Sequence, residues 1–510
     1  MTNKASVNSV KVRMYRQGFG DCFLLSFYQD DNRIFTMLID CGIKYNTKSD
    51  EAPIEKIVED LKQTLTPEGE TTPQLDVLVA THEHWDHISF FHPTRFPDFF
   101  ADFQIGQVWL AWTEDPDDDE AKQINSRLRD GAVALQMAAS RLNDTEGQET
   151  QQTQGFYFGE KVAGARQDFN TSLNDVLGFY GVTSLKKISD SGIKYNPDGS
   201  ISSLTQQSME RIIELGGDRI RYFNPGTTVD SSLLPLGIRV HVLGPPRSSL
   251  INKSNPSRGH AHETYLSIDH SGMTSFIDGL FGMAQDKGER GHSSRGAPFG
   301  SDVGVTADEA ASEPYFANTY FREDEAYRRI ENNWLDIAGQ FALQLDGAIN
   351  NTSLVLAIEL TDSGKVLLFP GDAQVGSWLS WHDHEWEVRE GCGVRKRSAA
   401  DLLNNTVLYK VSHHGSHNAT IRDKGLEMMT HAELVAMIPE KEDSYNGILY
   451  EPLMERLKQL CKGRVMVSAD SNCPPEDLMN DRPALLSECE WNTFKDNLKV
   501  DRLYLEYTVR

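Results

Sequence analysis

Thr81-His82-Glu83-His84-Trp85-Asp86-His87 directly follows Leu75-Asp76-Val77-Leu78-Val79-Ala80, a valine-rich apolar run that reads as a buried strand. Three histidines and one aspartate thus fall within residues 82–87, where a strand ends and its loop opens. A strand end is rigid yet accessible, which suits a metal site. Alternate side chains of an extended backbone share a face, so His82 and His84 point together. A turn after them brings Asp86 and His87 round as a second group. Imidazole and carboxylate ligands suit zinc and similar divalent ions. With 15 histidines in 510 residues, a polar loop does not reach this density by chance.

Upstream, Val10–Tyr15 alternates apolar and polar residues, Gly18-Phe19-Gly20-Asp21 supplies a turn, and Cys22–Phe27 and Arg33–Asp40 read as further strands. Residues 54–65 have helical spacing. Strands, then a helix, then the histidine strand is the order of an α/β layered domain. Gly18-Phe19-Gly20 is not a nucleotide-binding loop, because no helix follows it.

Downstream, Val108–Trp112 reads as one more strand of the same sheet, and the acidic run 114–120 as a solvated helix start. A helix is expected over 128–142, a mobile loop over 143–167, a lid or disordered loop over 285–314 and a helix over 323–345. Short strands are expected at 219–223 and 238–243. Strand signals resume with a hairpin, Thr352–Leu360 and Lys365–Phe369, that ends in Pro370-Gly371-Asp372-Ala373. Thr406–Val411 is another strand and runs into Ser412-His413-His414-Gly415-Ser416-His417, and late strands are expected at 464–468 and 501–505. Asp470-Ser471-Asn472 reads as a simple turn.

The bulk properties narrow the function classes. A formal net charge of −25 opposes non-specific attraction to nucleic acid or anionic membrane, though a local basic groove remains compatible with it. No apolar run approaches the ~20 residues needed to cross a bilayer. The N-terminus lacks the basic start and apolar middle of a signal peptide, so cytoplasm is the default location and no membrane partner is expected. The six cysteines form no C-x-x-C pair, which argues against a disulfide framework or a cysteine-rich zinc module. His382-Asp383-His384 has ligand-like spacing but lies in a tryptophan-rich helical stretch, where residues two apart diverge. Trp378, Trp381 and Trp386 read as packing residues.

Four strand ends therefore carry ligand-type residues: Asp40, the 82–87 cluster, Asp372 and His413-His414. T-H-x-H-x-D-H, then strand-G-D, then strand-H-H-G-S resembles the metallo-β-lactamase superfamily. The sub-pattern is similar to the hydrolase domain of the competence protein ComEC and its relatives. Its G-x-G-D, L-I-D-x-G, N-N-x-S-L-V-L, L-L-x-G-D-A and K-V-x-H-H-G-S have counterparts at 18–21, 38–42, 350–356, 367–373 and 410–416. The resemblance implies one α/β domain over 1–510, a four-layered αββα sandwich with the metals at one edge of two sheets. Segments at about 95–235 and 258–345 are then insertions forming a cap.

The resemblance also implies roles. His82 and His84 hold a first ion; Asp86, His87 and His414 hold a second; Asp372 bridges them, each oxygen taking one ion. Asp40 supports the histidine loop. His413 contacts substrate or supports its neighbour, and the assignment between His413 and His414 stays open. Ser416 and Asn351, inside the matched motifs, join Asp40 and His413 as catalytic or supporting residues. The ions are two divalent metals, zinc with manganese as the alternative. One departure stands out: the further first-site histidine of many superfamily members is replaced by Asn350-Asn351-Thr352-Ser353. His241, His260 and His262 are candidate substitutes, and without one the first site is open, weaker or more tolerant of manganese.

The function implied is a metal-dependent hydrolase (phosphodiesterase or nuclease) that activates water on a phosphoester-containing substrate, either nucleic acid or a small molecule. Two rivals remain at this stage: hydrolysis of a carboxylic ester, thioester or lactam by the same metals, and a non-catalytic metal-binding regulatory module. No G-x-S-x-G nucleophile elbow is present. The oligomeric state is left open.

Overall fold

Alternation in Ser9–Tyr15 produces strand β1, which buries Val10, Val12 and Met14 on one face. It pairs antiparallel with β2 (Cys22–Gln29), which pairs antiparallel with β3 (Asn32–Cys41). A crossover helix, Ile54–Leu65, buries Ile54, Ile57, Val58, Leu61 and Leu65, the stripe of a one-sided helix. It delivers β4 (Gln74–Val79) parallel to β3, and β5 (Gln104–Ala111) and β6 (Ile220–Phe223) continue the parallel run. A second sheet begins with β7 (Ile238–Gly244), β8 (Val355–Leu360) and β9 (Val366–Phe369), paired antiparallel in that order. The hairpin β10 (Glu385–Glu390) and β11 (Gly393–Ser398) stands apart. Strands β12 (Thr406–Lys410), β13 (Val435–Lys441) and β14 (Val465–Ala469) then extend the second sheet in parallel from β9. Finally β15 (Leu498–Val500) and β16 (Tyr504–Val509) return to the first sheet beside β1.

This computed structural model describes residues 6–44, 52–128, 204–254, 312–320, 345–390, 393–441, 449–469 and 477–510, with 310 and 322. Within them the protein is mixed α/β, with sheets of eight and six strands and one two-stranded hairpin. One apolar cluster draws Val12, Phe23, Met37, Val77 and Trp109 from the first sheet and Val240, Leu356, Phe369, Leu408 and Met437 from the second. Each sheet also has its own outer cluster. Leu24, Leu38 and Leu78 meet the 54–65 helix and the Leu204–Gly216 helix. Val355, Leu368 and Tyr409 meet Trp378, Leu403 and Leu457 from the helices beyond them. Trp378, Trp381 and Trp386 are all buried in that second cluster, so they are packing residues.

Several boundaries differ from the sequence expectation. Trp112 opens a 3₁₀ turn, Trp112–Glu114, rather than ending β5, and its indole donates to the Pro245 carbonyl. β16 starts at Tyr504, because Asp501 and Leu503 close a turn through the Asp501 side chain. The range 95–235 contains β5 and β6, which belong to the first sheet. Most of the segments 128–142, 143–167, 285–314 and 323–345, together with His260, His262 and the turn at 470–472, lie outside the described residues. Among the described residues no helix is long and apolar enough to cross a membrane.

The topology gathers particular chain ends. β3 and β4 are parallel neighbours, so Asp40 and the 82–87 loop emerge side by side. β9 and β12 are parallel neighbours too, so Asp372 and His413-His414 do the same. Because β2 runs antiparallel to β3, with Cys22 opposite Cys41, Asp21 arrives at the same edge. Because β8 runs antiparallel to β9, the residues before β8 arrive beside Asp372.

Candidate metal centre

Asp40, the penultimate residue of β3, has a positive φ of 55°, a conformation non-glycine residues adopt infrequently. Its Oδ1 accepts from the Thr81 amide at 2.7 Å, and its Oδ2 accepts from Thr81 Oγ1 at 2.7 Å. The same Oδ2 lies 2.7 Å from His87 Nδ1, so that nitrogen carries hydrogen and Nε2 is left to bind. Glycines allow this loop to pack. A Cβ on Gly20 would sit 2.6 Å from the Asp86 carbonyl oxygen, and one on Gly42 would sit 2.6 Å from the His87 carbonyl carbon. This close approach explains the second glycine of G-x-G-D and the glycine of D-x-G.

His414 reaches the centre through an unusual turn. His413 (φ 43°, ψ 48°), His414 (φ 50°, ψ 22°) and Gly415 (φ 84°) are successively left-handed. Two non-glycine residues in that region cost about 1–3 kcal/mol each and are held only where surroundings over-determine them. Here His414 Nδ1 donates to the Pro439 carbonyl at 3.0 Å, turning Nε2 inward, and the ring packs 4.1 Å from Phe19.

Four ligand-type groups converge. His414 Nε2 lies 3.1 Å from Asp86 Oδ2 and 3.6 Å from Asp372 Oδ2; His87 Nε2 lies 3.1 Å from Asp372 Oδ2 and 3.8 Å from Asp86 Oδ2. Asp86 Oδ1, His87 Nε2 and Asp372 Oδ2 are buried without a hydrogen-bond partner among the described residues, so an ion could satisfy them. Asp21 is also close, but it faces the other ring nitrogens: 3.7 Å from His87 Nδ1 and 3.8 Å from His414 Nδ1. It stands behind the imidazoles rather than beside their inward nitrogens.

The second pair adjoins the first. His82 Nε2 is 3.1 Å from His84 Nδ1, and the His82 and His87 ring centroids are 4.2 Å apart. His82 Nδ1 faces Ser353 Oγ at 3.2 Å and Thr81 Oγ1 at 3.1 Å. Ser353 Oγ also accepts from the Asp372 amide at 3.0 Å, tying the two halves.

Lys410 is buried between Asp21 and Asp372. Its ammonium donates to Asp21 Oδ2 (2.6 Å), Asp372 Oδ1 (3.0 Å) and the Gly371 carbonyl (2.9 Å), which uses all three hydrogens. The contact distinguishes the two oxygens of Asp372. Oδ1 is engaged by Lys410, and Oδ2 is the oxygen aimed at the histidines. Residue order alone assigns no role to Lys410 or Asp21, although both stand inside the matched motifs.

His413 does not join the convergence. Its Nδ1 is 2.6 Å from Ser416 Oγ, which donates to Asn418 Oδ1 at 3.1 Å, and its Nε2 is 3.4 Å from Asn350 Nδ2. It therefore sits at the rim, with Ser416 fixing its ring. Asn351 accepts from the Gln374 amide at 3.0 Å and so braces the backbone two residues past Asp372. His241 is held by buried Glu359 at 3.0 Å, which also pairs with half-buried Arg239 and Arg397, so its ring is turned to that cluster and away from the 82–87 loop. His382 is tied to the Lys424 carbonyl at 2.7 Å.

Electrostatics separate the histidines into two groups. Burial resists charge on His87, yet Asp372, Asp21, Asp86 and Asp40 outweigh it and raise its pKa well above 6.5. His414 is likewise raised against burial, chiefly by Asp372 and Asp86. Burial lowers His82 well below the ordinary value, and lowers His84 and His413 to about 4. Asp372 is held low against burial by Lys410, His87 and His414. Asp346, from the 345–350 helix, is pushed up to about 7 by burial and by Asp86 and Asp372. Asp21, Asp40, Asp86, Asp346 and Asp372 are all buried here, against buried Lys410 and Lys44. Such a carboxylate excess calls for bound cations or protons.

This donor set of imidazole nitrogens and carboxylate oxygens fits divalent metal ions of the zinc and manganese kind. No family model matches the chain, and no curated protein matches it.

Proposed function

We propose that this protein is a metal-dependent hydrolase of the metallo-β-lactamase type, an αββα four-layered sandwich similar to the ComEC-like group, acting on phosphodiester bonds. The observation that carries this reading is the convergence of His87 Nε2, His414 Nε2, Asp86 and Asp372 Oδ2 beside the His82–His84 pair, all buried. His82 Nε2 and His84 Nδ1 would hold one ion, and Asp86, His87 and His414 the other, with Asp372 Oδ2 between them. Two divalent ions bound there would supply Lewis acidity and bring the pKa of water toward neutrality.

The chain's own residues do the rest. Asp40 fixes the His87 tautomer, and the Pro439 carbonyl fixes that of His414. Lys410 holds Asp372 so that one oxygen faces inward. His413, braced by Ser416, stands at the rim of the centre. The phosphodiester assignment rests on the ComEC-like motif set; fold type by itself does not choose a substrate.

The test combines metal analysis with a substrate panel. Purified protein is expected to carry about two ions per chain. It is expected to turn over bis-p-nitrophenyl phosphate, DNA or RNA with zinc or manganese, and Asp372→Ala is expected to abolish that turnover. Hydrolysis of nitrocefin alone would move the substrate to a lactam. A metal-free protein of full stability would remove the catalytic reading.

A further inference from the structure

The geometry points to Asp346 as the carboxylate that positions His84, so that the His82–His84 half of the centre is supported by the segment preceding β8. This rests on the two-ion reading above. It concerns a residue outside every motif of the sequence analysis, in the helical turn 345–350.

Three of the four converging histidines have a visible acceptor on the ring nitrogen opposite the inward one. His87 Nδ1 has Asp40 at 2.7 Å, His414 Nδ1 has the Pro439 carbonyl at 3.0 Å, and His82 Nδ1 has Ser353 and Thr81 at 3.2 and 3.1 Å. Each contact leaves the opposite nitrogen as the binding atom. For His84 the nitrogen paired with His82 Nε2 is Nδ1, so its backing atom is Nε2. That nitrogen faces Asp346 Oδ1 at 3.8 Å.

Asp346 is prepared for the contact. It is 8% exposed, and its Oδ1 has no hydrogen-bond partner among the described residues. Its Oδ2 accepts from Asn350 Nδ2 at 3.1 Å, which sets the plane of the carboxylate. A buried carboxylate oxygen without a donor is costly unless a donor arrives. With an ion on His84 Nδ1, the ring proton must sit on Nε2, and a shift of under ~1 Å from 3.8 Å brings it into hydrogen-bond range of Oδ1. The arrangement repeats the Asp40–His87 contact on the other half of the centre, in a later and unrelated stretch of chain. It locks the tautomer of His84 and strengthens the imidazole as a donor to the ion.

The experiment titrates metal-depleted full-length protein with zinc and with manganese, by calorimetry and chelator competition, for wild type, Asp346→Asn and Asp346→Ala. Wild type is expected to bind about two ions. Asp346→Ala is expected to weaken one of them by about 10–100-fold and leave the other unchanged, with Asp346→Asn between, since its carbonyl still accepts from Nε2–H. In cobalt-loaded protein the exchangeable His84 ring proton is expected as a shifted resonance in wild type that is lost by exchange in Asp346→Ala. A purely structural role would not produce that loss while the thermal transition of the loaded protein stays within a few degrees. Two unchanged ions in Asp346→Ala would overturn the role of Asp346 and leave the two-ion centre standing. A wild type that binds no ion would instead overturn the centre itself.

Discussion

Lys410 Nζ lies 2.6 Å from Asp21 Oδ2 and 3.0 Å from Asp372 Oδ1, so one buried cation joins the loop before β2 to the loop after β9. The ammonium offsets one of the two negative charges and leaves Asp372 Oδ2 as the oxygen that faces the histidines. Replacing it by an apolar isostere removes one partner of a buried network and leaves the others uncompensated. Lys410→Met is expected to destabilise the metal-free protein by about 3–5 kcal/mol. Urea unfolding with and without zinc checks this, and the loss is expected to shrink when zinc is bound, because the ion takes over part of the neutralisation.

Asp40 acts on the centre through His87 and Thr81. Asp40→Ala is expected to lower metal affinity by about 10–100-fold, with a smaller effect for Asp40→Asn. Competition against a fluorescent chelator measures it. Unchanged affinity in Asp40→Ala would show that the His87 ring is oriented by its packing alone.

His413 and His414 are neighbours with different surroundings, and they should separate experimentally. His414→Ala is expected to lose an ion, because Nε2 is one of the converging atoms. His413→Ala is expected to keep both ions, because its ring nitrogens face Ser416 and Asn350 rather than the converging atoms, and to lower turnover through the rim it shapes. Metal content and turnover measured on the same preparations distinguish the two.

Gly42 lies against the Asp86–His87 backbone, where a Cβ would come within 2.6 Å of the His87 carbonyl carbon. Backbone cannot rotate away as a side chain can. Gly42→Ala is expected to cost about 1–3 kcal/mol and to reduce metal affinity at the same time. A thermal melt and a metal titration of the one variant check both. Loss of stability with intact metal binding would show that the strain relaxes away from Asp86.

The metal-free protein should change stability with pH in two stages. Between about pH 4 and 6.5, the lowered pKa values of His82, His84 and His413 mean that the unfolded chain binds more protons, so their burial favours folding increasingly as pH rises. Above 6.5 that contribution is complete. His87 and His414, raised above 6.5, then lose the protons that stabilised the folded state, whereas Asp346, raised to about 7, acts earlier: its folded form keeps a proton that the unfolded chain loses near pH 4, so its contribution falls up to about pH 7 and opposes the histidine gain. Stability of the metal-free protein is therefore expected to fall from pH 6.5 upward. Bound zinc displaces the same protons, so melts of the zinc form should lose that fall, and zinc affinity itself should weaken as pH drops.

Much of the centre was legible from residue order. The 82–87 cluster declares itself because one strand end carries several ligands within a single turn, and Asp40, Asp372 and His414 each close an apolar run. What residue order does not carry is which atoms face one another. His413 and His414 are adjacent and chemically identical, and only a left-handed turn, anchored by the Pro439 carbonyl and by Ser416, sends one inward and the other to the rim. Lys410 stood inside a matched motif as a strand residue, and its role depends on the parallel pairing of β9 with β12. Asp346 has no local signal, since it follows an apolar stretch and belongs to no pattern. It reaches His84 because β8 runs antiparallel to β9 and so begins beside Asp372. Local spacing shows which side chains can bind an ion, because ligand chemistry belongs to residue type. Partners more than 250 positions apart, such as His84 with Asp346 and Asp86 with His414, are chosen by strand order, which only the folded chain possesses.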